Sequence, residues 1–204
     1  MTNFPSFKVQ HFDVSIAKPD ATEPLKLQIP LLDQARQTGT TKWCWALVAS
    51  AVSKHYDHER GWEPYEFANK IYNRCDCDST AHSHCHDVRL LEEALKITGN
   101  WAHTLEDPIS EALIREELKE NRPIGVRIEW KDTLEDDAHV VLIHGIFLRN
   151  GLTYVHVADP DDHDIEHPLS RLFGQYGASY GGSWTRTYLT KPREGEEVEF
   201  FPCP

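Results

Sequence analysis

The spacing of apolar residues changes near residue 123, and this change limits the folds open to the chain. Before it, apolar positions recur at the three- to four-residue interval of helices, as in the run from Trp43 to Tyr56. After it, apolar and polar residues alternate as they do in strands, over residues 124–130, 138–148, 152–158 and 183–190. Helices first and an antiparallel sheet second predict an α+β fold with a cleft where the two parts meet.

The 204-residue chain predicts one domain made of these two parts. We expect residues 1–27 to form an N-terminal arm and residues 28–204 to form the domain. Within the domain, helices are expected over about 40–122 and the sheet over about 123–190. The predicted helices span residues 43–56, 64–72, 88–98 and 111–120, and Ser110 is the expected N-cap of the last one.

The acidic balance of the chain argues against two classes of partner. Its net charge is −12, so a nucleic-acid backbone or an anionic membrane would on average repel it.

The N-terminus lacks the basic start and apolar core of a signal peptide, and no apolar run is long enough to span a bilayer. We therefore expect a soluble, cytoplasmic protein.

The cysteine count bears on the redox state. There are five cysteines, at positions 44, 75, 77, 85 and 203. An odd number in a chain without an export signal argues against a disulfide framework and predicts at least one free thiol.

Cys44 lies in the first turn of the predicted helix that ends at Tyr56. The unpaired N–H groups and positive dipole end of a first turn stabilise a thiolate, the nucleophilic form of cysteine. Trp43 and Trp45 would wall such a site and exclude water. Most lone cysteines are only small buried apolar residues, however, so position alone does not decide between packing and catalysis.

His139 begins the apolar run AHVVLIHGI and follows the acidic run Glu135-Asp136-Asp137. A polar residue at the mouth of an apolar strand is placed to present a base to a cleft. A histidine at a strand end is also common on protein surfaces, so this position is ambiguous by itself.

Asn150-Gly151 indicates a hairpin, and the length of its loop decides which residue faces His139. We expect a three-residue loop, in which His139 lies opposite Asp161 and Asp159 is its diagonal neighbour on the same face. A two-residue loop would turn Asp159 to the other face. Either aspartate could therefore hold the imidazole in one tautomer and stabilise the imidazolium.

The order Cys, His, Asp, with the cysteine at a tryptophan-flanked helix start, resembles papain-like cysteine peptidases. WCWA with a glutamine before it is similar to the bacterial branch of type III avirulence-effector and bacteriocin-processing peptidases. Gly145 follows His139 at the spacing of the papain-like histidine strand, and YVHVADP resembles the branch's strand ending in Asp-Pro, which favours Asp159. RPIGVRIEW and SWTRTYLT resemble its flanking strands, so the resemblance covers roughly residues 28–190.

The resemblance implies a papain-like fold and a thiol peptidase that hydrolyses peptide or isopeptide bonds of a protein substrate through a thioester. Cys44 would be the nucleophile, His139 its base and Asp159 the residue that orients the base. Gln37 would complete the oxyanion hole. Gln34 is the alternative, because Gln37 lies seven residues before Cys44 where the family typically uses six. No metal or organic cofactor is implied.

The same resemblance widens the expectations for location and partners. A cytoplasmic enzyme could be exported as an effector by a route that needs no signal peptide. The expected partner is a protein or peptide substrate, with an activating or regulatory protein as a further possibility. Acidic runs near His139 and at Asp161-Asp162 would favour positively charged peptides.

A polar loop between two predicted helices is dense in cysteine and histidine. Its composition suits a soft metal such as zinc in a structural site, although the spacing matches no standard zinc pattern. The candidate ligands are Cys75, Cys77, Cys85 and His86, with His82 and His84 nearby. The resemblance favours instead a structural role through packing or a loop-closing bond.

Two histidines on neighbouring predicted strands are a further candidate metal site. In the three-residue-loop register, His144 falls opposite His156, where two imidazoles could bind metal, although two buried, hydrogen-bonded histidines are the better interpretation.

The order Cys, His, Asp also serves acyltransferases and transglutaminase-like enzymes. A non-catalytic papain-like or zinc-stabilised binding module is the rival of a different class.

Overall fold

We describe a computed structural model of the chain over residues 22–30, 42–78, 83–130, 138–177 and 181–195. Within these ranges, five helices follow one another along the chain, with a short 3-10 turn (Ser83–Cys85) between the second and third. The helices are α1 (Cys44–Tyr56), α2 (Pro64–Tyr72), α3 (Leu91–Ile97), α4 (Glu111–Lys119) and α5 (Leu169–Leu172). Ser110 Oγ accepts a hydrogen bond from the N–H of Leu113, as expected of the N-cap of α4.

The strands form one antiparallel sheet. They are β1 (Leu25–Lys26), β2 (Trp101–Leu105), β3 (Ile124–Glu129), β4 (Ala138–Arg149), β5 (Leu152–Asp159), β6 (His163–Pro168) and β7 (Ser183–Thr190). The order across the sheet is β2-β7-β3-β4-β5-β6, and β1 pairs with β4. The four predicted strands correspond to β3, β4, β5 and β7, whereas β2 and β6 were not predicted. Strand β1 lies in the N-terminal segment that was expected to form an extended arm or short strands.

The sheet separates two apolar cores. Helix α1 is buried continuously from Cys44 to Ser53 and packs with α2 and α3 against one side of the sheet. A helix apolar on nearly all sides is stable only when other elements cover it. The second core lies between the other face of the sheet and helices α4 and α5. The start of α1 thereby comes to the same end of the molecule as the start of β4.

The hairpin between β4 and β5 differs from the predicted one. Its loop is only Asn150-Gly151, with φ angles of +54° and +76°, and Arg149 pairs with Leu152. Two left-handed residues are what a tight two-residue turn requires, and Asn-Gly is the dipeptide that meets this need most readily. The prediction of a three-residue loop is therefore wrong.

A β-bulge then shifts the register of this hairpin by one residue. Ile143 pairs with Val157 and Gly145 with His156, so His144 has no partner on β5. Beyond the bulge, the register is the one that a three-residue loop would have produced. The strand end that carries His139 therefore meets β5 as predicted, although the extra residue lies inside β4 rather than in the turn.

Among the helices that the structure describes, none combines the length and the apolar character that a membrane span needs.

Candidate active site

Cys44 is the first residue of α1, as predicted, and its side chain is almost fully buried. The N–H groups of this first helical turn have no partner within the helix, so they and the helix dipole favour an anion here. The Sγ atom lies 4.0 Å from the carbonyl oxygen of Ala138, the residue before His139. Within the described ranges, Cys44 is the cysteine with a free thiol.

Two tryptophans anchor the start of α1 to the loop before α3. The indole N–H of Trp43 donates to the carbonyl oxygen of Cys85 at 2.6 Å, and that of Trp45 donates to the carbonyl oxygen of Asp87 at 3.1 Å. Because these residues flank Cys44, the loop holds the nucleophile in place. Trp45 is fully buried and Trp43 is half-buried, so only Trp43 can wall the cleft.

His139 and Asp159 form a buried hydrogen bond. The imidazole Nε2 lies 2.7 Å from Oδ1 of Asp159, and both side chains are less than 10% exposed. The imidazole is also hydrogen-bonded to the Cys44 side chain. Since Asp159 takes Nε2, Nδ1 is the nitrogen available to the thiol. The structure thus brings the three predicted residues Cys44, His139 and Asp159 together in one chain of hydrogen bonds.

The bulge at His144 is the reason that Asp159 reaches His139. Beyond the bulge, Leu142 pairs with Ala158, so the next step of the ladder sets Asp159 beside Val141, two residues from His139 on the same face. Without the bulge, the two-residue turn would place Asp159 on the opposite face of the sheet.

Asp159 accepts two further hydrogen bonds. The Tyr176 hydroxyl donates to Oδ2, and the backbone N–H of Asp161 donates to Oδ1 at 2.8 Å. Tyr176 is buried and follows α5 in the chain. Its role cannot be predicted from the sequence, because no local pattern distinguishes a tyrosine that supports a catalytic carboxylate from one that only fills a core.

These contacts shift the pKa values of the three groups. Burial alone would lower the pKa of His139, but its hydrogen bonds to Asp159 and Cys44 outweigh burial and raise the pKa to about 10. Burial alone would raise the pKa of Asp159, but the hydrogen bonds from His139 and Tyr176 lower it. Burial and the Asp159 carboxylate raise the pKa of Tyr176, so its hydroxyl keeps the proton that it donates. The arrangement therefore stabilises an imidazolium beside the Cys44 thiol, which is the state that thiol catalysis needs.

Asp161 occupies a different place from Asp159. Its carboxylate Oδ2 lies 3.9 Å from Nδ1 of His139, on the side of the ring that faces the thiol, and its side chain is 55% exposed. Asp161 therefore does not orient the base through a hydrogen bond, and Asp159 is the aspartate that does. The glutamine candidates Gln37 and Gln34 lie outside the described residues, so the oxyanion-hole assignment stays a prediction.

The predicted metal loop is closed by disulfide bonding. Cys77 and Cys85 are joined to each other and fully buried, and Cys75 is also disulfide-bonded. A sulfur in a disulfide has no thiolate to offer a metal. The expectation that the cysteines form no disulfides is therefore wrong, and Cys75, Cys77 and Cys85, the less favoured candidates for zinc ligands, are not available to a metal. The loop-closing bond that the resemblance favoured is present instead.

The remaining histidine candidates are part of the packing. His86 packs edge-on against Trp43, with ring centroids 5.8 Å apart. His144 Nδ1 and Nε2 lie 3.2 Å from the Leu27 carbonyl oxygen and 2.9 Å from Asp164 Oδ1. Because of the bulge, Gly145 rather than His144 pairs with His156, so the predicted direct opposition of the two histidines is wrong. The interpretation of His144 as a buried, hydrogen-bonded histidine is confirmed.

Comparison with known proteins decides the family. A family model described as papain-like cysteine protease AvrRpt2 matches residues 25–173, which is more than half of the chain. The chain belongs to this family. As a member of the AvrRpt2 papain-like family it is a cysteine peptidase and hence a hydrolase. The acyltransferase and binding-module alternatives are not favoured.

One solved structure supports the fold. A digestive procathepsin L 3 from the larval midgut of Tenebrio molitor is 13% identical, with a TM-score of 0.51 over 86% of this chain and 72% of that chain. This likeness confirms the papain-like α+β fold. A structure from work on the mite allergens Blo t 1 and Der p 1 is 16% identical, with a TM-score of 0.48 over 81% of this chain and 67% of that chain. No curated protein sequence matches the chain.

Proposed function

We propose that this peptidase cleaves its substrate with Cys44 as the nucleophile, His139 as the acid and base, and Asp159 as the residue that orients His139. The observation that carries the proposal is the continuous hydrogen-bonded chain from Cys44 through His139 to Asp159, buried where α1 meets the sheet. Family membership supports a cysteine nucleophile, and Cys44 is the free thiol of the described residues.

In the acylation step, the Cys44 thiolate attacks the carbonyl carbon of the scissile bond and a sulfur–carbon bond forms. The oxyanion accepts hydrogen bonds from the backbone N–H of Cys44 and, in our proposal, from the side-chain amide of Gln37. As the carbon–nitrogen bond breaks, the proton on Nδ1 of His139 passes to the leaving nitrogen. The products of this step are a thioester on Cys44 and a free amine.

In the deacylation step, water attacks the thioester carbonyl and His139 Nδ1 takes a proton from it. The carbon–sulfur bond breaks, the acid product leaves, and the thiolate–imidazolium pair forms again. Throughout both steps Asp159 keeps Nε2 engaged, so Nδ1 always points toward the reacting atoms.

The test combines covalent labelling with substitution. Intact-mass and peptide analysis after treatment with a papain-type epoxide inhibitor should show one adduct, on the peptide that contains Cys44. Cys44→Ala and His139→Ala should each lower kcat/KM by roughly a thousandfold or more while the far-ultraviolet circular dichroism is unchanged. Labelling at another cysteine, or full activity of Cys44→Ala, would contradict the assignment.

Location and partners are part of the proposal. Disulfides persist in oxidising compartments and are rare in the cytosol, so the buried Cys77–Cys85 bond supports an exported effector over a purely cytoplasmic enzyme. The resemblance of WCWA and YVHVADP to a bacterial branch supports a bacterial source. The proposed substrate is a protein or peptide, with neither nucleic acid nor membrane as a partner. An activating or regulatory protein partner stays a prediction.

A further inference from the structure

Asp161 places an exposed carboxylate beside the nitrogen of His139 that faces the thiol. Its Oδ2 lies 3.9 Å from Nδ1, and its side chain is 55% exposed. Its backbone is held at this point, because the N–H of Asp161 donates to Asp159 Oδ1 and the N–H of Asp162 donates to the carbonyl oxygen of Asp159. The same carboxylate that orients the base therefore also fixes the position of Asp161.

The proposed chemistry places the leaving side of the substrate next to Asp161. Nδ1 must come within about 3 Å of the leaving nitrogen to hand over its proton. The Asp161 carboxylate then lies within about 7 Å of that nitrogen. The nitrogen belongs to the residue just after the scissile bond, the P1′ residue, so Asp161 is beside this residue rather than beside the acyl half of the substrate.

The charge at this rim of the cleft is negative. The carboxylates of Asp159 and Asp161 flank one imidazolium, which the Cys44 thiolate already balances in the active state, and the Asp162 carboxylate adds its negative charge next to Asp161. Across the described part of the chain, no lysine or arginine forms an ion pair with Asp161 or Asp162. A cation supplied by the substrate would therefore meet an uncompensated carboxylate.

We infer that Asp161 is a specificity-determining residue that favours a lysine or arginine at the P1′ position of the substrate. The inference rests on the proposed roles of Cys44 and His139. A long cationic side chain can span the distance from the leaving nitrogen to the Asp161 carboxylate, whereas an acidic P1′ side chain is repelled by it. Because the carboxylate is half-exposed, the preference for lysine over glutamine should be about threefold to fivefold in kcat/KM.

The experiment uses the full chain and two kinds of substrate. A proteome-derived peptide library first identifies one well-cleaved sequence, and quenched peptides are then made with Lys, Gln or Glu at P1′. The same acyl half is also attached to aminomethylcoumarin, which has no P1′ side chain. Wild type should rank the peptides Lys, Gln, Glu, and added salt should compress the ranking, since salt screens exposed charges.

Asp161→Asn should remove most of the lysine preference, and Asp161→Lys should make the Glu peptide the best of the three. The coumarin substrate measures any general change in rate that the altered charge beside His139 causes, and the P1′ preference of each variant is expressed relative to it. The matched control is Asp162→Asn, which removes the neighbouring exposed charge and should keep at least half of the preference.

Two results would overturn the inference. One is an unchanged P1′ ranking in Asp161→Asn. The other is a parallel fall in hydrolysis of the peptides and the coumarin substrate, which would mean that Asp161 acts through His139. If wild type cleaves neither kind of substrate while Cys44 is unmodified and the protein is folded, the proposed function itself fails, and the inference fails with it.

Discussion

The Tyr176 hydroxyl donates its hydrogen bond to Oδ2 of Asp159, the carboxylate oxygen that His139 does not contact. Oδ1 receives the imidazole and the N–H of Asp161, so both oxygens are held by donors. A carboxylate held on both oxygens cannot rotate freely, and its orientation sets the plane of the imidazole. Tyr176 is thus a positioning residue that acts on the base through Asp159.

Tyr176→Phe removes this one donor and keeps the ring. We expect kcat to fall by roughly tenfold with KM nearly unchanged, because the substrate is not contacted and only the alignment of His139 is loosened. The free energy of unfolding should fall by about 1–3 kcal/mol, since a buried carboxylate loses a charged hydrogen bond. Steady-state kinetics and urea unfolding measure the two effects.

Tyr154→Phe is the matched control for this substitution. Tyr154 lies on β5, but its ring packs on Phe147 and Arg149 at the turn end of the hairpin, away from Asp159. Its kcat should equal that of wild type. A loss of stability in Tyr176→Phe without any change in kcat would show that Tyr176 only fills the core.

Asp159→Ala should lower kcat/KM less than the loss of Cys44 or His139 does. Without the carboxylate, His139 can still take the proton from Cys44, but nothing holds its ring in the right tautomer. We expect kcat/KM to fall by roughly a hundredfold, against near-complete loss in Cys44→Ala. If Asp161→Ala proves more damaging than Asp159→Ala, the orienting role belongs to Asp161 and the assignment is wrong.

The raised pKa of His139 should be visible in the pH profile. The thiolate–imidazolium pair is lost when the imidazolium loses its proton, so the basic limb of kcat/KM should lie near pH 10 rather than near 6.5. Asp159→Asn removes a cause of the raised pKa and should move this limb toward lower pH. Glu166→Gln, which removes only an exposed ion pair with Arg149, should leave the limb in place.

The same shift links stability to pH. His139 titrates near 6.5 in the unfolded chain and near 10 in the folded chain, so the folded state binds the proton more tightly. Its contribution to stability is therefore fully present below pH 6.5 and is lost as the pH rises through 10. The difference in unfolding free energy between wild type and His139→Gln should shrink over this range. A difference that is constant from pH 6 to pH 10.5 would contradict the raised pKa.

The Cys77–Cys85 bond should support both stability and catalysis. Its closed loop is short, with a sequence separation of 8, so Cys77→Ala with Cys85→Ala should lower the free energy of unfolding by about 2–3 kcal/mol. Because the carbonyl of Cys85 anchors Trp43 beside the nucleophile, kcat/KM should fall as well. Thermal unfolding and steady-state kinetics test this.

Trp43→Phe separates the two effects, since it removes the indole N–H and leaves the disulfide intact. It should reproduce part of the fall in kcat/KM with a smaller loss of stability. An unchanged melting temperature in the double cysteine variant would show that the bond contributes nothing to the fold.

The sequence predicted those elements whose burial imposes a pattern. Strands β3, β4, β5 and β7 each match a predicted run to within one residue, because these runs alternate or are continuously apolar. Strand β6, with the sequence HDIEHP, is polar and lies at the edge of the sheet, so its strand state depends on pairing with β5 and leaves no apolar pattern. Strand β2 lies at the other edge of the sheet and inside the region predicted to be helical, and its strand state likewise depends on pairing, in this case with β7.

The candidate site was predicted where residue type and order carry the chemistry. Cys44 was indicated by its position at a helix start and His139 by its position at a strand start. Asp159 was preferred to Asp161 because YVHVADP resembles the strand of the family that ends in Asp-Pro. Tyr176 could not be predicted, because its role depends on a three-dimensional contact from a segment that carries no motif. The cysteine count argued wrongly against disulfides, because the pairing of cysteines depends on which ones the fold brings together, and their number does not reveal this.

The bulge at His144 makes strand β4 unequally tolerant of the loss of a residue. Removing His144 itself would join Ile143 directly to Gly145, and their partners Val157 and His156 are already consecutive, so the ladder would close without a shift. Removing one residue between His139 and Ile143 would instead carry His139 to the opposite side of the sheet from Asp159. Deletion of residue 144 should therefore preserve the catalytic geometry, whereas deletion of a residue between His139 and Ile143 should abolish catalysis.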